Sequence, residues 1–118
     1  MADIVSAVMI KQSELDKFDA VMAESGYRCD EDWVPDMREI ENKIIGRYQT
    51  IVAKKMEYIL AQQQNGGARP NLGEFDRDMK SMLLFMHWIL TTCDKLDGAA
   101  RERLQSFVDE KLRINTGE

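Results

Sequence analysis

An uninterrupted apolar segment constrains the fold of this chain more than any other feature. The nine residues from Met82 to Leu90 include no charged side chain apart from the titratable ring of His87. An amphipathic helix needs only one apolar stripe to pack on a core. The flanking residues already follow a helical period, so this helix is apolar on nearly every side and its second face needs a cover. The segment is far shorter than the roughly 20 residues that span a bilayer, so we expect no membrane span.

The size and composition of the chain indicate one helical domain covering residues 1–118. With 118 residues, 44% of them hydrophobic, the chain is long enough to bury a core. Only two prolines and seven glycines occur, which favours long helices. The two cysteines, Cys29 and Cys93, are compatible with one disulfide, but two free thiols are the simpler interpretation. No signal peptide is recognised at the start, so we expect a cytoplasmic protein.

Apolar residues recur every three or four positions in four stretches of the chain. This pattern predicts an all-α, antiparallel four-helix bundle-like domain with unequal helices and a frayed tail from about residue 114. The predicted helices cover residues 3–25, 35–63, 72–96 and 98–113.

Three local signals qualify the helix prediction. Residues 3–12 fit either a helix or a strand, and the spacing of the apolar positions favours a helix. Ser13 offers a second helix start inside the first stretch. Gly46, inside the second predicted helix, suggests a close crossing with another helix.

The charge is distributed unevenly along the chain. Residues 1–41 hold eleven acids against four bases, a net charge of −7, and residues 42–118 hold ten acids against twelve bases, a net charge of +2. Nucleic-acid binding is not expected, because it depends on clustered Lys and Arg. The acidic part instead favours a partner protein with a basic patch.

The residue types needed for common catalytic and metal sites are sparse. The single histidine excludes a two-histidine metal site within one subunit, and the spacings of phosphate loops, dinucleotide-binding loops and zinc proteases do not occur. Met79, Met82 and Met86 have helical spacing that favours core packing over soft-metal binding. We therefore expect no enzymatic activity, no cofactor and no metal.

Two apolar residues lie on the back of the third predicted helix. At 100° per residue, Leu84 and Trp88 fall on the face opposite the main stripe, and Arg77 and Lys95 lie near them in angle. A Trp beside an Arg on such a face is typical of an interface anchor. The alternative is a central helix that the rest of this chain covers on both sides.

An acidic loop with an aromatic neighbour supplies the second set of candidate partner-binding residues. Asp30, Glu31 and Asp32 are consecutive and suit a basic partner. Trp33 follows them and is either a second anchor or a hydrophobic staple that fixes the start of the next helix.

His87 gives an alternative function. A four-helix domain of this length with a lone histidine at the edge of a helix stripe resembles the histidine phosphotransfer family, which implies a signalling domain that uses His87. That family has Lys and Gly three and four positions after its histidine, where this chain has Leu90 and Thr91. The resemblance therefore concerns architecture alone.

These observations predict a small acidic protein-binding module, acting as an adaptor, an inhibitor or regulator, or a small subunit of a larger complex. A homodimer is the first expected assembly, through the third helix or an overhang of the second. Small acidic helical domains are also common among phage and mobile-element accessory proteins that inhibit host systems. By this association, the chain is also a candidate for such an accessory protein.

Overall fold

The computed structural model describes residues 7–67 and 71–115, and this part of the chain is mostly helical, as predicted. The elements in chain order are strand β1 (Val8–Lys11), helices α1 (Gln12–Ser25), α2 (Cys29–Asp32) and α3 (Met37–Glu39), a π-helix (Ile40–Ile45), helices α4 (Gly46–Gln64), α5 (Gly73–Thr92) and α6 (Gly98–Lys111), and strand β2 (Leu112–Asn115).

The first predicted helix, 3–25, begins too early. Residues Val8–Lys11 form β1, which pairs in parallel with β2 so that Val8 lies opposite Leu112, and α1 begins only at Gln12. The partner strand is about a hundred residues away, so no local pattern identifies the pairing. Residues 3–6 of the predicted helix lie outside the described residues.

The prediction of a frayed tail from residue 114 is also wrong for its first two residues. Ile114 and Asn115 belong to β2, where they pair with Ile10 and Lys11. The ladder gives their backbone groups the partners that a free tail lacks. Residues 116–118 of the predicted tail lie outside the described residues.

The second predicted helix, 35–63, corresponds to a continuous helical segment, 37–64, made of α3, the π-helix and α4. Asp36 caps its start by accepting the backbone N–H of Glu39 at 2.9 Å, and the Glu39 carboxylate accepts the N–H of Asp36 in return. Gly46 lies at the junction of the π-helix and α4. A Cβ there would lie 2.9 Å from the carbonyl oxygen of Glu41, so this glycine accommodates the wide turn rather than the expected helix crossing.

Helix α5 is the central helix of the fold. It contacts α1, α2, α4, α6 and β1, which explains why its sequence is apolar on nearly every side. Its residues Leu83, Met86 and Ile89 are fully buried. Among the described residues, no helix has both the length and the hydropathy required to cross a bilayer.

Helix α6 is capped at its start and is hydrogen-bonded through Arg101 to the end of α5. Asp97 caps its start by accepting the N–H groups of Ala99 and Ala100. Arg101 donates to the carbonyl oxygens of Leu90 and Cys93 and thereby satisfies the end of α5. The last turn of α5 is thus held by a cation, which is the favourable charge for a helix C-terminus.

Candidate functional site

A cavity of about 690 Å³ lies where the end of α1, the following loop, α2 and the end of α5 meet. We call it the acidic pocket. It is lined by Asp19, Ala23, Gly26, Tyr27, Arg28, Cys29, Asp30, Glu31, Trp88 and Thr92. The loop can turn into α2 because α1 ends at Gly26 in the left-handed conformation, with φ of 78°.

The lining of the acidic pocket carries three acids against one base. Arg28 and Glu31 form an ion pair of 3.3 Å in which both side chains are well exposed. Asp30 uses both carboxylate oxygens on backbone N–H groups. Asp19 has no hydrogen-bond or ion-pair partner within residues 7–67 and 71–115, so its charge is available to a ligand.

Four aromatic rings, two of which line the acidic pocket, contact one another in a closed cycle, and we call them the aromatic quartet. Tyr27 contacts Trp88 at 5.8 Å between ring centroids, Trp88 contacts Phe85 at 6.1 Å, Phe85 contacts Trp33 at 5.9 Å, and Trp33 contacts Tyr27 at 6.5 Å. Tyr27 and Trp33 flank α2, whereas Phe85 and Trp88 lie one turn apart on α5. The quartet therefore attaches the α2 segment to the back of α5.

The aromatic quartet answers the question of what covers the second face of α5. Trp88 is only 5% exposed, and its cover comes from this chain through Tyr27 and Phe85. Leu84 is half-buried and packs against the core. The central-helix alternative from the sequence thus describes both residues, although Trp88 also lines the acidic pocket.

Trp33 lies three residues before the cap residue Asp36 and joins the start of helix 37–64 to α5. Its ring is half-buried, stacks on Phe85, and donates from Nε1 to the Glu39 carboxylate at 3.1 Å. Glu39 in turn belongs to the cap of helix 37–64. Trp33 does not line the acidic pocket.

Asp30 ties α2 to the turn that follows α5. Its two carboxylate oxygens accept the backbone N–H groups of Asp94 at 3.0 Å and Lys95 at 3.1 Å. The pKa of Asp30 lies below its ordinary value because the N–H of Lys95, and then that of Asp94, stabilise the ionised carboxylate. Asp32 plays a local part by accepting the N–H of Arg28 at 3.0 Å.

The two cysteines lie together beside Asp30, between the acidic pocket and the core. Cys29 and Cys93 are 3% and 1% exposed. Burial, as the largest cause, raises the pKa of both thiols. Cys93 influences both neighbours: its side chain contributes to the raised pKa of Cys29 and to the lowered pKa of Asp30. One donor atom from each of the three residues lies within 4.8 Å of the other two.

The remaining sequence candidates lie outside the acidic pocket. Arg77 is exposed near the start of α5, and Lys95 is exposed in the turn after it. His87 is half-buried, and its Nδ1 is enclosed without a hydrogen-bond partner in the described part of the chain. Met56 and Leu60 leave more than half of their surface exposed on α4, which belongs to the second predicted helix, for which an overhang is expected. Self-association through that overhang stays a prediction.

The structure thus gathers Asp30, Glu31 and Trp88 from the predicted set at one pocket. Asp19 and Tyr27 were not among the predicted site residues, and the sequence left open whether the two cysteines lie close together. Phe85 and Trp88 at a spacing of three were a signal for an aromatic face on α5. Asp19 and the cysteine pair carried no comparable signal, because their neighbours come from distant parts of the chain.

Comparisons of this chain with protein-family models, curated proteins and solved structures found no match.

Proposed function

We propose that this chain is a protein-binding module, without catalysis of its own, whose acidic pocket takes up a Lys or Arg side chain of a basic partner segment. The observation that carries the proposal is Asp19, an acid on the pocket wall that has no partner in the described part of the chain. It lies in a lining where acids outnumber bases by three to one.

The size and chemistry of the pocket support a side chain presented by a segment of protein. Ligand pockets have volumes of roughly 300–1,000 Å³, and this cavity of about 690 Å³ lies within that range. Tyr27 is 37% exposed and offers an aromatic face to a cation, which adds to the attraction of the carboxylates. An ammonium or guanidinium group meets both preferences, whereas an acidic or purely apolar group meets neither.

The charge of the whole chain supports the same class of partner. The pocket residues 19–31 belong to the part of the chain with a net charge of −7. A field of one sign around a cleft raises the association rate of an oppositely charged ligand, and salt weakens the effect. Binding should therefore become weaker as the ionic strength rises.

The test is a titration of the protein with arrays of short peptides that differ only in charge. Calorimetry should detect binding by peptides with a central Lys or Arg and lose it when that residue is norleucine or Glu. Asp19→Asn should weaken binding about tenfold, the equivalent of one charge-assisted hydrogen bond. Glu24→Gln is the matched control, because Glu24 is an exposed acid of the same helix that does not line the pocket.

Three outcomes would overturn the proposal. One is equal binding of the Lys and norleucine peptides. Another is an equal loss of binding in Asp19→Asn and Glu24→Gln, which would assign the effect to net charge rather than to the pocket. The third is failure of all Lys and Arg peptides to bind.

A further inference from the structure

Cys29, Asp30 and Cys93 bring three donor atoms together from two distant segments. The thiol of Cys29 and the carboxylate of Asp30 come from the first turn of α2, and the thiol of Cys93 comes from the residue that ends α5. The three donor atoms lie within 4.8 Å of one another. We propose that these three side chains form a Zn²⁺ site.

The spacing of the donor atoms suits a tetrahedral ion. With Zn–S bonds of about 2.3 Å and Zn–O bonds of about 2.1 Å, ligand atoms in a tetrahedral site lie roughly 3.5–3.8 Å apart. The observed donors lie within 4.8 Å of one another, so they approach by up to roughly 1.3 Å to reach that separation.

The types of donor select the metal. Two thiolates with one carboxylate suit Zn²⁺, whereas Mg²⁺ and Ca²⁺ prefer sites made of oxygen ligands alone. Two thiolates, a carboxylate and the ion together carry a charge of −1. The guanidinium of Arg101, which donates to the backbone carbonyl of Cys93, lies close enough to favour the thiolate of Cys29 and offset this charge.

The ligands are held in place by a second layer of hydrogen bonds. Asp30 accepts the N–H groups of Asp94 and Lys95, and its carboxylate keeps free lone pairs for a metal. Arg101 fixes the end of α5 from which Cys93 projects. Such outer hydrogen bonds orient ligands and strengthen metal binding.

The fourth coordination position opens to the acidic pocket. Cys29 and Asp30 line that pocket, whereas Cys93 lies behind them. A water molecule from the pocket completes the tetrahedron, as in zinc sites with three protein ligands. Asp19, on which the proposed peptide binding depends, lines the same pocket but is not one of the three donors.

Binding of Zn²⁺ releases protons from the thiols to solvent and involves no electron transfer. Each thiol loses one proton to solvent when its sulfur bonds to Zn²⁺, and Asp30 is already ionised. Two protons are therefore released for each ion bound. Oxidation of the same pair to a disulfide would instead remove two electrons and need an oxidant.

The experiment uses the full chain after reduction and removal of metal under anaerobic conditions. After exposure to Zn²⁺ and desalting, atomic emission should find one equivalent of zinc in the wild type. Cys29→Ser and Cys93→Ser should retain less than a tenth of that amount, and Asp30→Asn should bind at least tenfold more weakly. Circular dichroism checks that each variant is folded.

Asp19→Asn is the matched control, because Asp19 lines the same pocket without belonging to the three donors. It should retain one equivalent of zinc while its peptide binding weakens about tenfold, so the two proposals fail separately. A second measurement needs no variant: the wild type should release two protons per Zn²⁺ in a weakly buffered solution.

Failure of the reduced wild type to retain zinc, or to release protons on addition of Zn²⁺, would overturn the metal site. Equal retention by the Cys29→Ser, Cys93→Ser double variant would do the same. Isolation of a Cys29–Cys93 disulfide from a protein that binds no zinc when reduced would reassign the pair to redox chemistry.

Discussion

Tyr27 stacks on Trp88, with ring centroids 5.8 Å apart and ring planes inclined by 29°. This contact joins the loop before α2 to the back of the central helix and leaves Trp88 only 5% exposed. Phe85 on the same helix contacts the indole from another side, at 6.1 Å between ring centroids.

We expect Tyr27→Ala to expose Trp88 and to lower the free energy of unfolding by about 1–2 kcal/mol, less than for a fully buried ring because Tyr27 is itself partly exposed. The emission of Trp88 should shift to longer wavelength when measured in a Trp33→Phe background, which leaves one indole in the chain. Tyr27→Phe keeps the ring and should change neither property. An unchanged emission maximum in Tyr27→Ala would mean that Tyr27 does not cover the indole.

The substitution Gly46→Ala should lower the stability of the protein, whereas Gly→Ala inside a helix usually raises it. Gly→Ala inside a helix usually stabilises by up to about 1 kcal/mol. At Gly46 the added Cβ would meet the Glu41 carbonyl oxygen at 2.9 Å, so we expect Gly46→Ala to destabilise the protein in denaturant unfolding. Gly98→Ala is the control, because a Cβ there meets nothing within 4 Å and should be neutral or stabilising. A stabilised Gly46→Ala would argue against the π-helix.

Alanine substitutions in β1 should follow the alternation of a strand. Ile10 is fully buried and Met9 is 58% exposed. Ile10→Ala should therefore cost about 2–5 kcal/mol, whereas Met9→Ala should change the stability by less than about 0.5 kcal/mol. Urea unfolding of the two variants measures the difference. Equal costs at the two positions would contradict the strand assignment.

Glu14 should make stability depend on pH in the acidic range. Its carboxylate accepts the N–H of Lys11 at 3.1 Å and pairs with Lys80 at 3.2 Å, and the N–H bond is the largest cause that lowers its pKa. A lowered pKa stabilises the folded state above the ordinary pKa of Glu, about 4.3, and this contribution disappears as the pH falls through the folded value.

The wild type should therefore exceed Glu14→Gln in stability at neutral pH, by less than about 1 kcal/mol because the pair is partly exposed. The difference should vanish at low pH. Thermal unfolding of both proteins from pH 7 to pH 2 provides the measurement. A difference that persists at pH 2 would show that the ionised carboxylate is not its origin.

The sequence predicted those features that depend on residues close to one another in the chain, such as the bounds of the helices. Gly26 ends α1 in the left-handed conformation and the Asp97 carboxylate caps α6, and both residue types are preferred at these positions. The period of the apolar residues placed the helical segment 37–64, α5 and α6 within a few residues of their observed bounds.

The features that were not predicted depend on contacts between residues far apart in the sequence. Residues 8–11 were assigned to a helix because, over so few residues, the spacing of the apolar positions fits a helix as well as a strand. The strand that pairs with them, β2, lies near the other end of the sequence. The acidic pocket depends on the packing of α1 and α2 around the end of α5. Asp19 and Cys93, which occupy different helical segments, carry no local signal of that arrangement.

The parallel pairing of β1 and β2 has a mechanical consequence. In a parallel pair, the chain that precedes β1 and the chain that follows β2 leave at opposite ends of the ladder. A force pulling those two segments apart therefore slides one strand along the other and loads the ladder hydrogen bonds together. In an antiparallel pair the same force would peel the bonds apart in succession. The β1–β2 ladder thus resists such a force in shear, and the helices between the two strands bear the force only after the ladder has broken.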